Sequence, residues 1–563
     1  MLGEADYIVV GGGAGGLVAA DRLSEGGASV VLIERGPPAT YAQGGRIQPG
    51  WLRGHRLTRF DVPGLCNEIW RNSTGIACED IDRMAGCVLG GGTAVNSGMF
   101  FVPPDRDWDY NFPAGWKAAD MAAARRRLFA RIPSTSTPSR NGRRYLQEAY
   151  EIVGAAARKA GWREVAINAQ PNDKNRTFGH SPSMFSGGER GGPLATYLVS
   201  AEARPNFKLV LYTMARRVVR AGSIASAVEV YATGPGGQTG VYRLKPGGRV
   251  VLSAGAFGTA KVLFRSGIGP QDQLEIVRSS ALDGPTMISP AHWIRSPVGR
   301  NLVDHTDTDL VVSHPNIRAY DFYAAFNDPI PADRDAYLDS RSGVLATAAP
   351  GIPLVLFDAV AGTDGITRQL QWTVRAEGSR GQSGPHLVTL SQYVGTGVTS
   401  RGRIVIRPNL AMTVGVAPHA TTAADKAAII QGVQNMLAAI TAWSANGTRI
   451  TLHKPAPGQS AADYVNSYTG DRSANHWLGS ARLGTDDGTR TNGDSGSVVD
   501  LNTKVYGTAN IVCFAPPRRE CRSIWMWMWV LSYLTSSSWT HPSSPASYPP
   551  TPRRQSWLRP STL

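Results

Sequence analysis

The period of apolar residues changes several times along this chain, and each change predicts an element. Residues 7–10 (YIVV) form a short apolar strand. A glycine run follows, and apolar positions then recur at helical spacing, with Leu17, Ala20 and Leu23 on one face. A second apolar run, 30–33, ends in an acid, so the opening reads as a strand–helix–strand unit. Helical patterns occupy 118–132 and 144–161, and residues 207–220 and 226–233 alternate like strands. An apolar strand at 249–253 runs into a helix at 258–266, closed by Gly267-Ile268-Gly269-Pro270. From 307 to 455 strand-like stretches dominate (310–313, 369–374, 386–393, 403–407), interrupted by one helix at 423–443. The expected class is α/β, α+β overall, with a mainly antiparallel second domain.

The opening unit carries candidate chemistry. Gly11, Gly13 and Gly16 stand as G-x-G-x-x-G where strand turns into helix. In that position the first glycine makes the tight turn, the second admits a pyrophosphate to the backbone, and the third packs helix on strand. The helix N-terminus then faces two negative charges. Glu34 ends the second strand, where an acid can accept from the hydroxyls of an adenosine ribose; an acid there argues against a 2′-phosphate. The spacing predicts a dinucleotide-binding domain. A second glycine-rich loop, 85–96, opens a short helix and offers N–H donors and a hydroxyl at Gly91, Gly92, Thr93 and Asn96.

Composition narrows the picture less. At 563 residues the chain is long enough for two or three domains, and 42% apolar content suits a globular protein. The basic excess, 58 Lys+Arg against 43 Asp+Glu, comes with no nucleic-acid motif; Arg125-Arg126-Arg127 reads as a solvated helix face. The five cysteines form no C-x-x-C pair or Cys/His cluster, so no metal site is expected. Cys78 and Cys87 can bridge a short loop in an oxidising compartment, and spacing leaves both states open. Met1 to Asp6 leads straight into the first strand without a signal peptide. The best apolar run, 524–534, is about half of the roughly 20 residues a membrane span requires.

Four blocks together give a resemblance: the opening unit; GCVLGGGTAVNSGMFF (86–101); SAGAFGTAKVLFRSGIGP (253–270) with VGRNLVDH (298–305); and ANHWLGSARLGTDDG (474–488) with VVDLNTKVYGTANI (498–511). In this the chain resembles the glucose–methanol–choline (GMC) flavoprotein oxidoreductases, most closely the flavin domain of fungal cellobiose dehydrogenases, the latter on Asn475-His476-Trp477. Ala260 departs from the family's usual Pro or Ser. The resemblance implies FAD in a Rossmann-like domain discontinuous in sequence: 1–306 for FAD, 307–455 for substrate, and 456–511 returning to the flavin. It implies that Gly11, Gly13, Gly16 and Glu34 hold the ADP part, that Gly91, Gly92, Thr93 and Asn96 line the pyrophosphate and flavin, and that the backbone of Val218 meets the adenine. No His lies in 86–101, which argues against a histidyl flavin link there.

The implied reaction is hydride transfer from a CH–OH group, of a cellobiose-like sugar at C1 or another alcohol, to the flavin. The acceptor would be a quinone, a dye, a haem protein or oxygen. His476 matches the family's base and Asn475 a substrate contact, while His305 falls in a structural turn. The substrate region shows no countable sugar-binding signature, although stackers such as Trp372 are available. An aryl-alcohol or glucose oxidase-type activity is the alternative. The resemblance implies an extracellular protein, against the missing signal peptide, so localisation stays open; neither nucleic acid nor a membrane is an expected partner.

The tail 512–563 breaks the pattern. It holds no Asn or Asp and no sustained period, so the family's second catalytic segment is missing. Read one base out of frame from codon 538, it permits that segment, with Asp forced across Trp539 and Thr540. Two readings stand: a frame error with an insertion near 512–535, or a genuine low-complexity tail leaving an FAD-binding protein with impaired catalysis.

Overall fold

The computed structural model describes residues 1–445, 447 and 449–513. The frame-error reading of the tail therefore falls outside the described residues, Val512 and Cys513 excepted.

Two sheets organise the chain. In the first, the order is Phe207–Val210, Val30–Ile33, Gly3–Val10, Gly240–Leu252, Ile224–Ala232, Thr213–Ala221, and Ile511–Cys513 also pairs with Gly240–Leu252. The pairs among Phe207–Val210, Val30–Ile33, Gly3–Val10, Gly240–Leu252 and Ile511–Cys513 are parallel. Successive residues of its continuous apolar runs serve opposite faces: Val9, Val30 and Leu32 enter one core, and Ile8, Val10, Val31 and Ile33 another. A strand buried on both faces needs such a run. Helix Ala14–Glu25 covers the first core through Leu17, Val18 and Ala20.

The segment expected as one strand at 207–220 is two. Tyr212, at φ 50°, turns the chain between them. Phe207–Val210 then pairs parallel with Val30–Ile33, and Thr213–Ala221 pairs antiparallel with Ile224–Ala232. The apolar strand at 249–253 also begins earlier, at Gly240, because a bulge at Pro246-Gly247-Gly248 lets pairing resume: Ala5 faces Leu244, then Tyr7 faces Arg249.

The second sheet runs Thr451–Lys454, Asp307–Ser313, Leu387–Val394, Thr367–Arg375, Leu354–Ala361, Thr177–His180, Arg163–Glu164. All its pairs are antiparallel except the last. On Thr367–Arg375, Leu370, Trp372 and Val374 pack with Met436 and Trp443 of helix Ala423–Ala445. The alternate residues Gln369 and Gln371 face the other way, toward a recess beside the first domain. Trp372 is thus a core residue, 1% exposed, and not a platform for a sugar.

Three boundaries differ from the sequence division. Thr177–His180 and Arg163–Glu164, from within 1–306, extend the second sheet. Ile404, Ile406 and Met412, from within 307–455, pack into a core of the first. The strand Ile511–Cys513 carries the fold past residue 511: Val512 pairs with Val251 and Cys513 with Leu252, and both are fully buried.

Candidate active site

The strands Gly3–Val10, Val30–Ile33 and Gly240–Leu252 end together, and a cavity of 680 Å³ opens beyond their carboxyl ends. The Gly11 N–H donates to the Ile33 carbonyl at 2.8 Å, and the Ser253 N–H to the Val10 carbonyl at 2.8 Å. Gly11 sits at φ 102°, and a Cβ there would lie 2.5 Å from the Ser253 carbonyl oxygen. At Gly16 a Cβ would lie 1.8 Å from the Gly11 carbonyl oxygen, so helix and strand touch backbone to backbone. Gly13 has no atom within 4 Å of its Cβ position and lines the cavity.

Glu34 lies at the end of its strand against the same cavity. Its carboxylate accepts from the Gly12 and Gly36 N–H groups, both at 2.8 Å. Burial pushes its pKa up against those two donors. The second glycine-rich loop meets the first: the Gly90 N–H donates to the Gly12 carbonyl at 2.7 Å, and a Cβ on Gly91 would lie 3.1 Å from the Gly13 Cα. Gly91, Gly92, Thr93 and Asn96 line the cavity beyond that junction. Arg190 donates to Asn96 Oδ1 at 3.1 Å and fixes the loop from behind.

Val218 does not join them. Its N–H donates to Ser266 Oγ at 2.9 Å, its side chain is buried in a core, and it is absent from the cavity wall. Thr213, Met214 and Ala215, earlier on the same strand, line the cavity instead. The Thr213 N–H donates to the Glu34 carbonyl at 3.0 Å, which brings that end of the strand to the site and carries Val218 away from it.

At the far end the cavity is walled by His305, Asn475 and His476. Asp304, fully buried, gathers this wall. Its Oδ1 accepts the N–H groups of His305 at 2.9 Å and His476 at 2.8 Å. Its Oδ2 accepts from Ser473 Oγ at 2.9 Å, the Ala474 N–H at 3.0 Å and His419 Nε2 at 3.1 Å. Burial works to raise the Asp304 pKa, but the His419 hydrogen bond and the neighbouring histidines hold it below the usual carboxylate value. Asn475 adopts φ 57°, a left-handed conformation Asn tolerates, and accepts from Trp477 Nε1 at 3.3 Å. Reciprocal hydrogen bonds between Val303 and Leu478 stitch the two loops together.

His476 is 4% exposed. Its Nδ1 lies 2.8 Å from His305 Nδ1, and its Nε2 is buried without a hydrogen-bond partner among the described residues. Burial, then His305, push its pKa well below the ordinary histidine value, with Asp304 pulling the other way. Burial also lowers His305. Sequence reasoning found His476 but not its ring contact with His305, which spans 171 residues and leaves no local signal. Cys78 and Cys87 are disulfide-bonded, and both line the cavity. No cluster able to hold a metal ion occurs among the described residues, nor does any helix there long and apolar enough to cross a membrane.

A glycine cradle at a parallel sheet's carboxyl edge, opening onto a histidine wall under a second sheet, is the layout of a dinucleotide-dependent oxidoreductase. Residues 5–307 and 398–514 match the GMC oxidoreductase family, the first match alone taking in more than half the chain, and the protein belongs to that family. An uncharacterized GMC-type oxidoreductase of Rhodococcus erythropolis is 27% identical over 361 residues, 58% of this chain and 68% of that protein. An oxygen-dependent choline dehydrogenase of Brucella anthropi is 30% identical over 325 residues, 54% of this chain and 53% of its own length, so about half of such a relative is matched. Among solved structures, a variant of formate oxidase from Aspergillus oryzae RIB40 superposes with a TM-score of 0.68 at 17% identity, covering 95% of this chain and 98% of that one. A fungal aryl-alcohol oxidase gives 0.62 at 16%, covering 94% and 98%. At such identities the structural likeness is one of fold.

FAD is the cofactor that membership brings, and the residues present fit it. The close approach at Gly16, the open face of Gly13 and the meeting of two glycine loops make a cradle that side chains would fill.

Proposed function

We propose that this chain oxidises the CH–OH group of a small-molecule alcohol, with His476 taking the hydroxyl proton. The observation that carries the reading is His476 Nε2, buried and without a hydrogen-bond partner among the described residues, on a residue that walls the cavity beginning at Gly13. Bound FAD supplies the acceptor for the hydride that leaves carbon. Burial keeps His476 neutral, which leaves a lone pair for the proton. Which nitrogen bears that lone pair depends on His305: when His476 Nδ1–H donates to His305 Nδ1, the lone pair is on Nε2. Asp304 holds the backbones of both histidines side by side. In this reading Gly11, Gly13, Gly16 and Glu34 bind the ADP part, Gly91, Gly92, Thr93 and Asn96 the pyrophosphate and flavin, and Asn475 touches substrate.

Relatives named for choline and aryl alcohols support an alcohol as substrate class. A cellobiose-like sugar oxidised at C1 rests on Asn475-His476-Trp477 alone, since Trp372 is in the core. A quinone, a dye, a haem protein or oxygen serves as electron acceptor. In the test, His476→Ala should retain its yellow flavin while anaerobic reduction by alcohols slows about a hundred- to ten-thousandfold. Unchanged reduction would remove His476 as the base. A yellow parent protein that no alcohol bleaches would favour an FAD-binding protein without catalysis.

A further inference from the structure

Beside the histidine wall the cavity gives onto a recess of 70 Å³, which also touches His305 and His476. Its other side holds Lys174, 6% exposed, whose Nζ lies 3.7 Å from the centroid of the Phe357 ring and 5.5 Å from that of Phe101. Among the described residues this amine has neither a hydrogen-bond partner nor an ion pair, and burial pulls its pKa down to about 7, so an anion arriving in the recess would hold it in the charged form. Asp107 acts on it only from a distance and takes a hydrogen bond from Thr396 Oγ1 instead. The backbone of Lys174 is fixed: its carbonyl accepts from Gln369 Nε2, which also donates to the Asp358 carbonyl at 2.7 Å. Gln371, on the same strand face as Gln369, adds a side-chain amide without a partner among the described residues.

A buried cation normally has its hydrogen bonds met, because leaving three N–H donors dry is costly. Ring faces attract the charge but accept none of those bonds in full. About 10–15 Å³ suffices for one water, so the recess has room for a small anionic group.

We propose that the recess is a subsite for a carboxylate carried by the substrate, held by Lys174 while the carbinol of the same molecule faces His476. The substrate class is then a hydroxy acid, and this deepens the alcohol-oxidation reading and rests on it. The aromatic pair Phe101 and Phe357 shields the ion pair from water, and the Gln371 amide donates to the second carboxylate oxygen.

The full-length holoprotein provides the test. Anaerobic flavin bleaching is compared for glycolate against ethylene glycol and mandelate against benzyl alcohol, in the parent and in Lys174→Met. Calorimetry with benzoate, which cannot be oxidised, reads binding alone. The parent should favour the acids about ten- to a hundredfold in kcat/KM, the value of one charged hydrogen bond. Lys174→Met should lose that preference and the benzoate affinity together. Alcohols that bleach the flavin regardless of charge, with benzoate bound equally by both proteins, overturn the subsite and leave alcohol oxidation intact. Benzoate binding that depends on Lys174, with no alcohol oxidised, supports the subsite and sinks the oxidation reading. If Lys174→Met does not fold, the parent's own choice between acids and neutral alcohols decides.

Discussion

The Nδ1 atoms of His476 and His305 lie 2.8 Å apart with their rings at 86° to each other. Two ring nitrogens at that distance hold one proton between them, so one ring donates only if the other accepts. His305 thereby acts on the tautomer of His476.

Replacing His305 with Phe keeps a ring but removes the acceptor. Flavin should stay bound while kcat falls about ten- to a hundredfold, and His305→Asn, whose amide oxygen can accept, should recover part of the loss. The pH profile separates this from simple damage. In the parent, kcat/KM should be flat through neutrality and fall only well below the ordinary histidine value, because His476 is pushed down. Without His305, one cause of that depression is gone, and the acid limb should move up toward pH ~6.5. An unmoved limb would deny His305 the role.

Asp304 should set the acid stability of the fold. Its folded pKa is depressed, so its contribution is full above the ordinary carboxylate value and is lost as pH falls through the folded value. His305 and His476 are buried with lowered pKa values, so the unfolded chain binds protons first and stability already declines below about pH 6.5. Urea midpoints of the parent should therefore fall in two stages on acidification. Asp304→Asn should cost about 3–5 kcal/mol at neutral pH, because two amide hydrogens replace an oxygen that accepts hydrogen bonds, and should lack the lower stage. A single stage in both proteins would exclude Asp304 as the hub.

Ala215 and Val218 lie on one strand but should answer differently. Ala215→Trp puts bulk into the cavity wall and should lower the flavin retained per protein, read as the ratio of visible to ultraviolet absorbance. Val218→Ala should leave flavin content unchanged and cost about 2 kcal/mol of stability by trimming a core. Equal flavin loss in both would return Val218 to the cofactor.

The opening unit was legible in the sequence because its causes are local. Glycine spacing, an apolar run and a terminal acid act within about thirty residues, and the glycines, the strands and Glu34 lie where those cues put them. The meeting of the two glycine loops, Gly90 with Gly12 and Gly91 with Gly13, joins distant parts of the chain and had no local signal. The resemblance puts the backbone of Val218 at the adenine, yet the strand that begins after the left-handed Tyr212 brings Thr213–Ala215 to the cavity wall. Asp304 and Lys174 had no legible signal. Asp304 takes four of its five donors from distant loops, and the surroundings of Lys174 are gathered from segments scattered along the chain.

The strand Ile511–Cys513 lies directly beside Gly240–Leu252, which in turn lies beside Gly3–Val10. During synthesis the opening strand therefore emerges long before the strand that completes its sheet. At ribosomal speed the wait is roughly half a minute to two minutes. The second sheet has all its strands by Lys454 and can settle earlier. Until Cys513 has left the exit tunnel, the open side of Gly240–Leu252 is an unpaired strand edge, so the sheet under the cofactor site is completed by a strand made long after the glycine turn it supports.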